Sequence, residues 1–240
     1  MSLLQTADVE RILAELSRER PVFHSEVDFQ LALAFKMQLT YPQLAIRMER
    51  TEIIDNKKLR IDMLAHQDGQ TILMELKYST RRLRVRVHLT EDKNETYNIL
   101  DQAAHDLCRY DFLKDIQRLE MLVERYTRKG HDAVGYEILL TNDSAYWKEP
   151  ARDEVIDYAF RLHEGRTIAA GEVLQWDERA GHGTKKYREE PIVLRGDYTF
   201  RWHRYSNCLT HPRVKPFEDE LTRYAEFRYL LVRVALGEQT

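Results

Sequence analysis

KLRIDMLAHQDGQTILMELKY, residues 58–78, decides the reading of this chain. Asp68-Gly69 near its middle is a strong two-residue hairpin signal, because such turns need backbone φ above zero at both positions. With those two residues as the loop, Gln67 faces Gln70, Met63 faces Met74 and Asp62 faces Glu75. Side chains alternate along a strand, so Ile72, Met74, Leu76 and Tyr78 share an apolar face with Met63. The other face carries Leu73, Glu75 and Lys77, with Asp62 beside them.

Two carboxylates directly opposite on one sheet face stand about 4.5–5.5 Å apart at Cβ, and like charges there destabilise the sheet. A divalent cation turns that repulsion into ligation, and Mg²⁺ takes carboxylate oxygens together with waters and substrate phosphate. A lysine beside the ion can steer a water or offset charge that builds on a phosphoryl group. The competing account is a solvated hairpin face on which a Glu75–Lys77 pair contributes little.

Asp62, followed by Glu75-Leu76-Lys77 on the next strand, resembles the motif of the PD-(D/E)XK nuclease superfamily. Ile61 stands where the motif's name has proline, a variable position. The resemblance implies a restriction-endonuclease-like α/β fold over residues 21–145, a mixed sheet flanked by helices. It also implies that Asp62, Glu75 and the backbone carbonyl of Leu76 hold Mg²⁺, for which Mn²⁺ can substitute, with Lys77 next to the attacking water. In that superfamily a helix ahead of the motif strands often supplies another acid, a place that Glu26 matches. A glutamine early in the following helix often contacts DNA or orients the metal, and Gln102 fits loosely, although Asp106 stands where a tyrosine is usual.

The chain has 240 residues, 43% hydrophobic and 32% charged, which suits one large domain or a domain with a small extension. A net charge of −3 confines any nucleic-acid surface to a local patch. Mean hydropathy is −0.59 and there is no long apolar run, which argues against a spanning helix and a membrane partner. The start, MSLLQTADVERILAEL, lacks signal-peptide character. Cys108 and Cys208, outside any C-x-x-C pattern, suit reduced thiols in the cytoplasm.

In chain order, Thr6 can cap a first helix with Val9, Ile12, Leu13 and Leu16 on one face, and residues 1–20 pack on the core from outside. Ser25 to Asp28 resembles a capping box and opens a helix expected to bury Val27, Leu31, Ala34, Phe35 and Gln38. Residues 44–54 alternate as a strand. After Tyr78, Leu83, Val85, Val87 and Leu89 alternate with Arg82, Arg84, Arg86 and His88, a half-buried strand whose three arginines suit phosphate oxygens. EDKNETYN then reads as a loop, Glu95 to Arg128 as a helix ended by Gly130, and residues 133–140 as a buried strand reached by crossover.

Residues 146–240 form an extension of the same domain. They are expected to hold a helix from Ala151 to His163, a strand from Thr167 to Trp176, and a flexible basic loop at 180–187. A hairpin around Gly196-Asp197, a helix from Phe217 and an apolar run near the end that could serve a homodimer complete the extension. Arg201, His203 and Arg204 interleave with aromatics that suit nucleic-acid stacking or a packed sheet edge. The histidines show no ligand spacing and the glycines no phosphate-loop spacing. The function expected is Mg²⁺-dependent hydrolysis of nucleic acid, DNA before RNA. The alternatives are an inactive binding or scaffolding protein on the same fold, and a hydrolase of small phosphoesters.

Overall fold

The computed structural model describes residues 4–54, 57–90, 92–102, 104–152, 154–217 and 222–236. The helices are α1 (Thr6–Glu19), α2 (Glu26–Thr40), α3 (His105–Arg128) and the one-turn α4 (His182–Lys185). The long strands are β1 (Ala45–Ile54), β2 (Lys57–Gln67), β3 (Gln70–Ser79), β4 (Leu83–Thr90), β5 (Lys93–Ile99) and β6 (Asp132–Thr141). Four two-residue strands follow, β7 (Thr167–Ile168), β8 (Val173–Leu174), β9 (Ile192–Val193) and β10 (Tyr198–Thr199). The chain closes with β11 (Trp202–Asn207), β12 (Val214–Pro216) and β13 (Glu226–Val234).

The six-stranded central sheet runs β1-β2-β3-β6-β13-β11. The hairpin forms as its sequence dictates: Asp68 and Gly69 take φ of 49° and 79°, and Met63 pairs with Met74 and Gln67 with Gln70. All neighbours are antiparallel except β3 and β6, which run parallel because α3 carries the chain back across the sheet. The fold is therefore α/β with a mixed sheet. One face buries Met63, Met74, Leu76 and Tyr78 against α1 and α2; the other buries Leu73 and Leu139 against α3 and the long C-terminal segment.

Several expectations are corrected. The ordered pairing of β2 with β3 stops at Met63, so Asp62 does not enter the ladder opposite Glu75. Gln5, not Thr6, is the N-cap of α1, in a capping box with Asp8. Helix α2 buries Phe29, Gln30, Leu33 and Met37, while Val27, Leu31 and Phe35 lie exposed. Its residues are apolar around nearly the whole circumference, which leaves no stripe from which to choose a face. Residues 93–99 are a strand rather than loop and helix start, since β4 offers them an open edge, and α3 begins only at His105. Both belong to a separate sheet, β12-β4-β5, in which Leu89 is exposed.

No helix spans 151–163; a single 3-10 turn, Tyr158–Phe160, stands there among the described residues. The expected strand at 167–176 breaks at Gly171, whose φ is 81°. The expected hairpin around Gly196 does not pair with itself: β9 pairs with β8, β10 with β7, and β11 with β13. Of the expected C-terminal helix, 218–221 lie outside the described residues and Thr222–Tyr224 is one 3-10 turn. The apolar run becomes β13, paired on both sides inside the sheet, so it offers no free strand edge.

Candidate active site

The site grows from the point where β2 leaves β3. Beyond Met74 the amide groups of β3 that face the β2 edge lose their strand partners and need other acceptors. The Leu76 N–H donates to Asp62 Oδ2 at 2.8 Å, and the Tyr78 N–H donates to Glu26 Oε2 at 2.9 Å. Two acids from separate elements thus replace the missing strand along one edge. Ser25 fixes Glu26 in place by capping α2, accepting from the Asp28 N–H at 3.2 Å. Burial raises the carboxyl pKa of both Glu26 and Asp62.

Glu75 and Lys77 point from β3 toward α3, where Asp115 and Arg118 meet them. Lys77 Nζ lies 2.5 Å from Asp115 Oδ2, and Arg118 Nη1 lies 2.6 Å from Asp115 Oδ1. Arg118 Nη2 also comes within 3.3 Å of Glu75 Oε1, at ion-pair distance but without hydrogen-bond alignment, so that oxygen has no hydrogen-bond partner among the described residues. Parallel register sets Glu137 of β6 beside Glu75. Glu137 is fully buried and neither of its carboxylate oxygens meets a partner among the described residues.

Asp62, Glu75, Asp115 and Glu137 share this space with two cations, Lys77 and Arg118. Burial first, then Asp115, pushes the Glu75 carboxyl up to about 9, and the same two causes hold Glu137 well above the carboxylate range. Burial alone would lower Lys77, but the charge and hydrogen bond of Asp115 outweigh it and keep the ammonium charged. A cavity of about 410 Å³ opens over Lys77 and Glu26, and is also lined by Gln102, Cys108, Asp111 and Arg188. Arg188, the residue after the expected basic loop, is clamped by Asp111 through two 2.6 Å contacts and stands at the cavity wall.

Glu26, Asp62, Glu75 and Lys77 are therefore brought together, and Gln102 joins the cavity from the segment before α3. The arginines of β4 are not. Arg84 and Arg86 lie 4.2 and 4.9 Å over the Phe217 ring, and none of Arg82, Arg84 or Arg86 lines the cavity. They sit apart because β4 leaves the central sheet for the smaller one. Phe200, Trp202 and Tyr205 are buried, so the aromatics around Arg201, His203 and Arg204 serve packing. Asp115, Arg118 and Glu137 went unnoticed in the sequence, although a glutamate inside AVGYEILL and charges on the apolar face of α3 are the signals that mark them.

Among the described residues, no three His, Cys, Asp or Glu side chains stand ready to hold a metal ion. The donor chemistry fits a hard cation all the same: Glu75 keeps an unpartnered oxygen, and the acids outnumber the cations around it. No protein-family model matches the chain, and no curated protein or solved structure matches it either.

Proposed function

We propose that this chain is a Mg²⁺-dependent nuclease acting on DNA, with a restriction-endonuclease-like core. The observation that carries the reading is the point within β2 where it parts from β3. There Asp62 and Glu26 cap alternate amides of β3, on either side of Lys77 and next to Glu75. The order of helix, three antiparallel strands, crossover helix and parallel strand supports the same core.

Asp62, Glu75 and the Leu76 carbonyl would hold the ion, with Glu26 reaching it through water. A strand residue's N–H and C=O point to the same edge, and the Leu76 N–H already reaches Asp62. When bound, the ion supplies Lewis acidity and lowers the pKa of a coordinated water. Lys77 stays an ammonium, which suits orienting the water and stabilising negative charge on phosphoryl oxygens better than removing a proton. Asp115 fixes its direction. Gln102 and Arg188 line the path by which a phosphodiester would enter.

The approach of Arg118 to Glu75 favours a second reading, a binding protein on this fold in which the guanidinium takes the cation's place. Incubation with plasmid, linear duplex and single-stranded DNA in Mg²⁺ or Mn²⁺ separates the two. Cleavage that disappears with EDTA, Glu75→Ala and Lys77→Ala supports the nuclease. Retained DNA binding without cleavage supports the binding protein.

A further inference from the structure

A second recess, of about 400 Å³, is lined by the segment that follows β6. It is lined by Lys148, Arg152, Arg161 and Arg223, with Asp143 and Glu149 as its acids. Asp143 is already engaged, 2.6 Å from His105 Nε2 and 3.7 Å from Arg81 Nε. Lys148 and Arg152 make no ion pair with described residues.

Beneath these groups the charge does not balance. Buried Asp157 is shared by two guanidiniums, with Arg109 at 2.5 Å and Arg161 at 3.6 Å. The Nε atoms of both arginines are buried and have no hydrogen-bond partner among the described residues. Arg161, with 14% of its side chain exposed, lines the recess while sharing its one acid, Asp157, with Arg109. Two guanidiniums on one buried carboxylate leave excess positive charge, and an oxyanion in the recess would offset it and accept from the exposed N–H groups of Arg161.

We propose that this recess binds the terminal phosphate of a nucleic-acid strand. A monoester phosphate ends the chain and is dianionic, so it can reach a sheltered guanidinium while Lys148, Arg152 and Arg223 meet its remaining oxygens. A continuous backbone would have to enter and leave. The recess adjoins the candidate active site through the His105–Asp143 contact, since His105 begins the helix whose Cys108 and Asp111 line the first cavity. The inference deepens the nuclease reading and takes its class of ligand from it.

The test is fluorescence anisotropy in EDTA, with short oligonucleotides labelled at one end and carrying phosphate or hydroxyl at the other, in both polarities. The phosphorylated oligonucleotide should bind about tenfold more tightly, the scale of one charge-assisted hydrogen bond. Arg161→Gln should abolish the preference. Arg152→Gln, on the surface and harmless to folding, should weaken it several-fold, and Arg84→Gln should leave it intact. Equal binding of the two oligonucleotides by the wild type overturns the inference, as does a preference that survives both Arg161→Gln and Arg152→Gln. Because EDTA removes cleavage from the readout, the two readings fail separately. Phosphate preference in a protein that never cuts supports the recess and sinks the nuclease; cutting without preference sinks the recess alone.

Discussion

Replacing Glu137 by glutamine should flatten the dependence of stability on pH. Glu137 is fully buried with both carboxylate oxygens unpartnered among the described residues, and burial together with Asp115 holds its carboxyl well above the ordinary value of 4.5. The folded protein therefore holds this proton over a pH range in which the unfolded chain, whose carboxyl ionises near 4.5, has already released it. The unfolded state then binds fewer protons, so stability falls with increasing pH until the folded carboxyl itself ionises. One proton contributes about 1.4 kcal/mol per pH unit wherever the folded protein holds it and the unfolded chain does not. The amide of the Glu137→Gln variant would keep the shape without titrating in either state. Glu75, pushed up to about 9, contributes a second decline of the same sign that the variant retains. Urea unfolding in EDTA at several pH values, fitted with a common m-value, measures the difference. Parallel curves for wild type and Glu137→Gln would show that Glu137 is ionised in the folded protein, and the charge account of the site would be wrong.

Ligation by Glu75 at pH 7 must displace the proton it holds, so Mn²⁺ binding should release protons. Calorimetry in two buffers of different ionisation enthalpy checks this, and a heat independent of buffer contradicts it. Phe29→Ala should cost about 3–5 kcal/mol in urea unfolding, because Phe29 is wholly buried, whereas Phe35→Ala, 66% exposed, should stay within about 0.5 kcal/mol. Equal effects would mean that α2 presents the other face. At Gly135 an added Cβ would lie 3.2 Å from Val234 Cβ and 3.3 Å from both Leu119 Cβ and Val123 Cγ2. Gly135→Ala should therefore destabilise by about 1–3 kcal/mol, and a neutral result would place β6 further from α3.

What was legible in the sequence was what local chemistry alone determines. Asp68-Gly69 sets a turn that few other residues accept, and that turn fixes which residues of β3 face which way. From it follow the shared side of Glu75 and Lys77 and their approach by α3. The end of α3 at Gly130 was equally local, since that glycine has φ of 86°. Where tertiary context decides, the sequence was silent or misleading. Residues 93–99 are polar and became a strand only because β4 offered an edge. The apolar run near the end became a strand because the open edges of β6 and β11 took it on both sides.

The candidate site divides in the same way. Asp62, Glu75, Lys77 and Glu26 were readable from spacing and resemblance. Asp115, Arg118 and Glu137 required knowing which side of α3 and which register of β6 meet β3. The arginines of β4 looked close because they follow the motif strand within a few residues. The chain turns out of the sheet after Ser79, and that separates them from the cavity.

DNA cleavage by the wild type, Glu75→Ala and Lys77→Ala in parallel, with Mg²⁺ or Mn²⁺ and an EDTA control, tests the central claim most directly. The account predicts cutting by the wild type alone and only with the metal. Cutting that survives in Glu75→Ala, or a wild type that neither cuts nor binds Mn²⁺, would contradict it.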